Sequence, residues 1–148
     1  MTRLTDAELQ AALSSHEILS DTGAVDMRRI EQAAGVVPTE REEQERVIAW
    51  ADNHPVAHVL HAIPNGQYRK GQRLEPGLRP GVPDLFLPIA SDGYHGLYIE
   101  LKRTVAWKVD DFQRLWIDKL RANGYQAVIC RGADMAIAQI ETYLGGDK

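Results

Sequence analysis

Leu97-Tyr98-Ile99-Glu100-Leu101-Lys102 is an apolar run broken by two charged residues, and how it is read decides the fold. On an extended strand, side chains alternate between faces, so Glu100 and Lys102 share one face and Ile99 and Leu101 the other. A carboxylate and an ammonium then occupy one site. Alone, a Glu-x-Lys pair is a common surface pattern, an ion pair on an exposed strand.

The preceding segment changes that reading. Gly81-Val82-Pro83-Asp84-Leu85-Phe86-Leu87 places Asp84 at the entry of another apolar strand, beside a proline that cannot donate to a sheet ladder. Asp92-Gly93 is a turn signal, and it folds the two runs into a hairpin that carries Asp84 and Glu100 toward one sheet edge. Two carboxylates, water and a phosphate oxygen suit Mg²⁺, a hard cation that takes oxygen ligands and keeps several waters. A nearby lysine can stabilise developing charge and orient, or help deprotonate, an attacking water.

Working outward, Thr39-x-x-Glu42 has the spacing of a capping box ahead of Val47, Ile48, Trp50 and Ala51, which predicts a helix opening at Pro38-Thr39. The run Val56–Ile63 reads as a strand that ends at the turn Pro64-Asn65-Gly66. After the hairpin, Phe112, Leu115, Trp116, Ile117 and Leu120 fit a helix from about Val109 to Asn123, closed by Gly124. A strand over Tyr125–Cys130 and a helix over Ala133–Leu144 complete the order helix, strand, strand, strand, helix, strand, helix. The class is α/β or α+β, with a mixed central β-sheet flanked by helices. Residues 1–38, with a capping box at Thr5-x-x-Glu8, a helix near 6–19 and a short periodic patch around Val25, Ile30 and Ala33, read as a helical appendage or connector to a domain over 39–148.

Composition narrows the function classes. A chain of 148 residues, 44% hydrophobic, is long enough for one core and short for two ordinary domains. It shows neither a long apolar span nor a signal peptide, so no membrane association and an intracellular, cytoplasmic setting are expected. The single Cys130, in an apolar run, reads as a buried and inert thiol. The net charge of -4 argues against bulk coating of nucleic acid. Its distribution is uneven: residues 1–54 carry net -6 and residues 55–148 net +2. Within the second part, Arg69, Lys70, Arg73 and Arg79 cluster in a Gly/Pro-rich loop just before Asp84. That loop is either a solvated surface segment or a clamp for a phosphate backbone, which positions a substrate without reading its sequence. His54, His58 and His61 do not form a zinc pattern, since Pro55 disfavours a helix there and a strand turns His58 and His61 to opposite faces.

Pro83-Asp84 followed by Glu100-Leu101-Lys102 resembles the core of the PD-(D/E)xK nucleases, and more narrowly the chain resembles the VRR-NUC subgroup. The ordered elements are Thr39-Glu40 with Gln44 and Trp50, Ile63-Pro64-Asn65-Gly66, Gly81-Val82-Pro83-Asp84-Leu85, Tyr98-Ile99-Glu100-Leu101-Lys102, Gln113 with Trp116, and Gly124-Tyr125, spanning about residues 39–144. The resemblance implies a restriction-endonuclease-like core and phosphodiester hydrolysis with Mg²⁺ or Mn²⁺. It implies Asp84 and Glu100 as metal ligands and Lys102 positioning or activating the water.

The resemblance further implies an acid on the first core helix, where Glu40, Glu42 and Glu43 compete. Glu42 is accounted for as a cap. Glu43 shares a face with Val47 and Trp50 and stays in play, but Glu40-x-x-x-Gln44 fits the family better, and Glu40 falls on the inward stripe with Gln44, Val47 and Ala51. By the same resemblance Gln113 lies at the site edge, holding a water at the metal or a backbone phosphate; its other reading is a solvated helix glutamine. Asn65 is first a turn former and second a substrate contact at that edge. Stand-alone members of the subgroup act as homodimers on branched DNA such as four-way junctions, often in phage or prophage settings, so a homodimeric, structure-selective DNA endonuclease in a bacterial or phage-infected cell is implied. A nuclease fold kept as a non-cutting DNA-binding or assembly module is the alternative. A sequence-specific restriction-type enzyme would need a recognition element for which 148 residues leave little room.

Overall fold

The structure, a computed structural model, describes residues 35–64 and 75–145. The helices expected near 6–19 and around Val25–Ala33, and the loop residues Asn65, Arg69, Lys70 and Arg73, lie outside them. The chain divides into two compact units, Met1–Pro38 and Thr39–Lys148. Every element described below belongs to the second.

Helix α1 (Glu40–Asp52) opens on a reciprocal cap: Thr39 Oγ1 accepts the amide of Glu42, and Glu42 returns its carboxylate to the amide of Thr39 at 2.7 Å. That bonding stabilises the ionised Glu42 carboxylate and lowers its pKa. Next, the expected strand over 56–63 gives way to a 3-10 turn (Ala57–Val59), and only His61–Ala62 pairs as β1. The cause is local. His54 Nδ1 accepts the backbone amides of both Val56 and Ala57, at 3.1 and 2.9 Å, which curls a segment whose composition favours extension.

Strands β2 (Leu85–Leu87) and β3 (Leu97–Lys102) form the expected antiparallel hairpin. Its tip is Asp92-Gly93, with positive φ at both residues (48° and 82°) and mutual backbone bonds between Ser91 and Tyr94, as a two-residue turn of primed type requires. Helix α2 (Asp111–Ala122) crosses over to β4 (Gln126–Arg131), which pairs parallel with β3, and α3 (Ala133–Gly145) follows. Gly124, at φ 85°, ends α2 in the left-handed conformation anticipated for it. The sheet order is β1-β2-β3-β4, antiparallel except for the last pair.

Alternation along the strands builds two cores. Leu85, Leu87, Leu97, Ile99, Leu101 and Cys130 face one side, against Val47 and Ala51 of α1 and Ala136, Ile140 and Tyr143 of α3. On the other side Ile117 and Leu120 of α2 pack on Ala127, with Tyr98 and Ile129 at the margin. Helices thus cover both faces, the arrangement that a parallel crossover demands. The apolar pattern of α2 is only partly an inward stripe: Phe112 and Leu115 remain 58% and 50% exposed. Glu100 and Lys102 lie on the α2 side, with their aliphatic neighbours in the larger core.

Candidate active site

The β2–β3 ladder pairs Leu85 with Ile99. One step further in the same register, Asp84 stands opposite Glu100, just beyond the end of β2. The Asp84 backbone carbonyl accepts the Ile63 amide at 2.8 Å, and its side-chain Oδ2 accepts the Leu101 amide at 2.7 Å. Pro83 and the bend at Asp84 free the carboxylate from the ladder, and the Leu101 amide then orients it.

Glu100 and Lys102 are 3% and 7% exposed. Lys102 Nζ lies 3.1 Å from Glu100 Oε1. Gln113, from the first turn of α2, joins them: its Nε2 donates to Glu100 Oε1 at 2.5 Å, and its Oε1 accepts from Lys102 Nζ at 3.0 Å. The same Oε1 accepts the Asp110 amide at 3.1 Å, and Asp110 Oδ1 caps the Gln113 amide. Gln113 is therefore no solvated helix residue. One amide group closes a helix cap, orients the lysine and restrains the glutamate. Asp110 was not singled out from the sequence, although Asp110-x-x-Gln113 is itself a capping-box spacing.

The electrostatics follow from burial. Desolvation first and the Asp84 charge second raise the pKa of Glu100, Lys102 opposes both, and the outcome is about 7. Asp84 is also raised, first by burial, against the lowering effect of the Leu101 amide. The charge of Glu40 pushes both in the same direction.

Glu40 and Glu43 are separated clearly. Glu40, Arg41, Gln44 and Glu45 line an open cleft of ≈ 460 Å³ with Asp84 and Leu101. Glu43 is buried away from that cleft: its Oε2 accepts the Ala133 amide at 2.8 Å and lies 3.3 Å from Arg46 Nη1. It serves the start of α3, where free amides and the helix dipole favour an anion. Arg79 is exposed on the segment leading to Asp84. Of the histidines, His54 bonds backbone, His58 is exposed, and His61 sets its ring edge-on to Phe86.

Among the described residues, Asp84 Oδ1 and Glu100 Oε2 receive no hydrogen bond, the bonds going to Asp84 Oδ2 and Glu100 Oε1. A buried Glu100 and a half-buried Asp84, both with raised pKa, are relieved by a divalent cation. No three His, Cys, Asp or Glu side chains gather into a ligand set among the described residues, so Glu40 lines the cleft without completing a cage. Two carboxylates with room for water fit Mg²⁺ or Mn²⁺ and not a closed zinc site.

A mixed four-stranded sheet covered by helices on both faces is a restriction-endonuclease-like α+β fold, here with acids on adjacent strands and a lysine two residues on. The family model of the VRR-NUC domain matches residues 26–134, and the chain belongs to that family of nuclease domains. A solved structure described as a "VRR_NUC domain protein" is similar to it, with 30% sequence identity and a TM-score of 0.65 over 76% of this chain and 93% of that one. No curated protein matches the chain. No described helix is long and apolar enough to cross a membrane.

Proposed function

We propose that this protein is a metal-dependent endonuclease that hydrolyses phosphodiester bonds in branched or otherwise structured DNA. The observation that carries the reading is the facing pair Asp84 and Glu100, each with a carboxylate oxygen that accepts no hydrogen bond among the described residues, beside a lysine tied to Glu100 through Gln113. Asp84 and Glu100 would hold Mg²⁺ or Mn²⁺ directly and Glu40 through water. The ion, when bound, supplies Lewis acidity at the phosphate and lowers the pKa of water.

The protein's own groups do the rest. Lys102, held by Gln113, keeps its ammonium beside the position of an incoming water and stabilises charge on the phosphate oxygens. Water attacks phosphorus in line, one P–O bond forms, the opposite P–O bond breaks, and the departing oxygen takes up a proton. Asn65, Arg69, Lys70, Arg73 and Arg79 would contact the DNA backbone ahead of Asp84, without sequence preference. A homodimer with two such sites, acting in the cytoplasm of a bacterial or phage-infected cell, completes the proposal.

The test is a cleavage panel of labelled four-way junction, flap and linear duplex in Mg²⁺, Mn²⁺ or EDTA. Cutting of the structured substrates that needs metal and disappears in Asp84→Ala and Lys102→Ala is the expected result. Binding without cutting under any divalent ion, or cutting that survives both substitutions, overturns it.

A further inference from the structure

Immediately after Lys102 the chain leaves the sheet and runs to the α2 cap through Arg103-Thr104-Val105-Ala106-Trp107-Lys108-Val109-Asp110. None of its side chains is needed to fill either core, yet the segment has a definite form. Ala106 adopts φ 52°, an unfavourable conformation for a residue with a Cβ. Trp107, next to it, is 43% exposed. Its ring lies under the Arg131 guanidinium, 5.4 Å from centroid to Cζ. Arg131 is the Cα partner of Lys102 across the parallel β3–β4 pair. The indole therefore stands at the same carboxyl edge of the sheet as the catalytic lysine, on the side away from β2 and Asp84.

The charges around it are one-sided. Arg103, Lys108 and Arg131 are basic, and the only acid of the segment, Asp110, is committed to capping α2. Arg103 Nε is buried with no hydrogen-bond partner among the described residues. An exposed indole braced by a guanidinium, on a segment that also carries Arg103 and Lys108, matches a nucleotide: the ring offers a π-face, and the basic residues suit the adjoining phosphates. A base within a duplex already has both faces covered by its neighbours. Only an unpaired, unstacked base can lie on Trp107.

We infer that Trp107, braced by Arg131, is a stacking platform for an unpaired base next to the phosphate held at Lys102, and that it supplies the selectivity for DNA with single-stranded features. The inference rests on the nuclease reading for its substrate but not for its geometry.

The experiment is metal-free binding in EDTA, using the full chain and oligonucleotides carrying 2-aminopurine at one position, either in a single strand or in a blunt duplex. Stacking on the indole should quench the unpaired fluorophore and leave the paired one unchanged. In Trp107→Ala the quenching should vanish and single-strand affinity should drop about 10-fold, with duplex affinity within about twofold; Trp107→Phe should keep most of both. Equal losses on the two oligonucleotides, or a Trp107→Ala variant that binds and quenches like the parent, overturns the platform. Metal-dependent cleavage by the unsubstituted protein is scored in parallel. Cleavage without Trp107-dependent quenching sinks the platform and spares the nuclease; quenching without cleavage does the reverse.

Discussion

Asp84 Oδ2 accepts the Leu101 amide at 2.7 Å, so an acid from one strand satisfies a backbone donor of the strand that carries Glu100 and Lys102. The bond orients the carboxylate and favours its ionised form. Asp84→Asn can keep the acceptor while losing the anion, whereas Asp84→Ala loses both. The first variant should melt at or above the parent temperature and the second should lose about 1–3 kcal/mol, with cleavage falling at least about 100-fold in each. Equal melting temperatures for the two variants would mean that the Leu101 amide bond contributes nothing to stability.

Gln113 touches both Glu100 and Lys102, and its removal leaves two charged groups without their shared restraint. Gln113→Ala should lower kcat by about 10- to 100-fold, with a smaller change in KM, as loss of an orienting group does. Kinetics on a junction substrate at saturating metal measure this. A change in KM alone would make Gln113 a binding group.

The raised Glu100 pKa, about 7 against 4.5, means that the folded state holds this proton more tightly than the unfolded chain does. No penalty exists below pH 4.5; it grows as the pH rises and is complete above about 7, on the order of 3 kcal/mol without metal. Asp84 acts in the same direction. Thermal melts in EDTA should therefore show stability falling from pH 5 to pH 8, with a shallower fall in Glu100→Gln. Added Mg²⁺ should restore stability at pH 8 and do little at pH 5. Parallel melting curves for parent and variant would remove Glu100 as the source.

Glu40 and Glu43 should part company under substitution. Glu43 is 1% exposed and its carboxylate receives the Ala133 amide, so Glu43→Ala should cost about 1–3 kcal/mol in urea unfolding. Glu40 is exposed at the cleft mouth, so Glu40→Ala should stay within about 0.5 kcal/mol of the parent while weakening metal-dependent cleavage. The opposite ranking would exchange their roles.

Elements announced by local chemistry were legible in the sequence. The Thr39 and Glu42 cap, the Asp92-Gly93 turn and Gly124 each owe their conformation to residues within a turn of themselves. Elements decided by a specific partner were not. The Val56–Ile63 run has strand composition, and only the acceptor on His54 diverts it into a 3-10 turn. Glu40 and Glu43 compete on the same helix, and what distinguishes them is Ala133, ninety positions from Glu43 in the chain. Five apolar residues on α2 imply one inward stripe, yet with Phe112 and Leu115 exposed it is Ile117 and Leu120 that are buried, because β4 accepts only that side of the helix. For Gln113 the type and place were readable, but its twin contacts depend on how α2 meets β3.

Cys130 is fully buried in the larger core, and burial lifts its thiol pKa to about 12. It is also the one cysteine of the chain. The thiolate, which is the form that reacts with alkylating reagents, is then scarce at neutral pH as well as shielded. The native sequence is therefore a ready background for thiol labelling: a cysteine introduced at an exposed position such as Lys108 or Arg79 would take a fluorophore or spin label selectively, with no native residue to remove first.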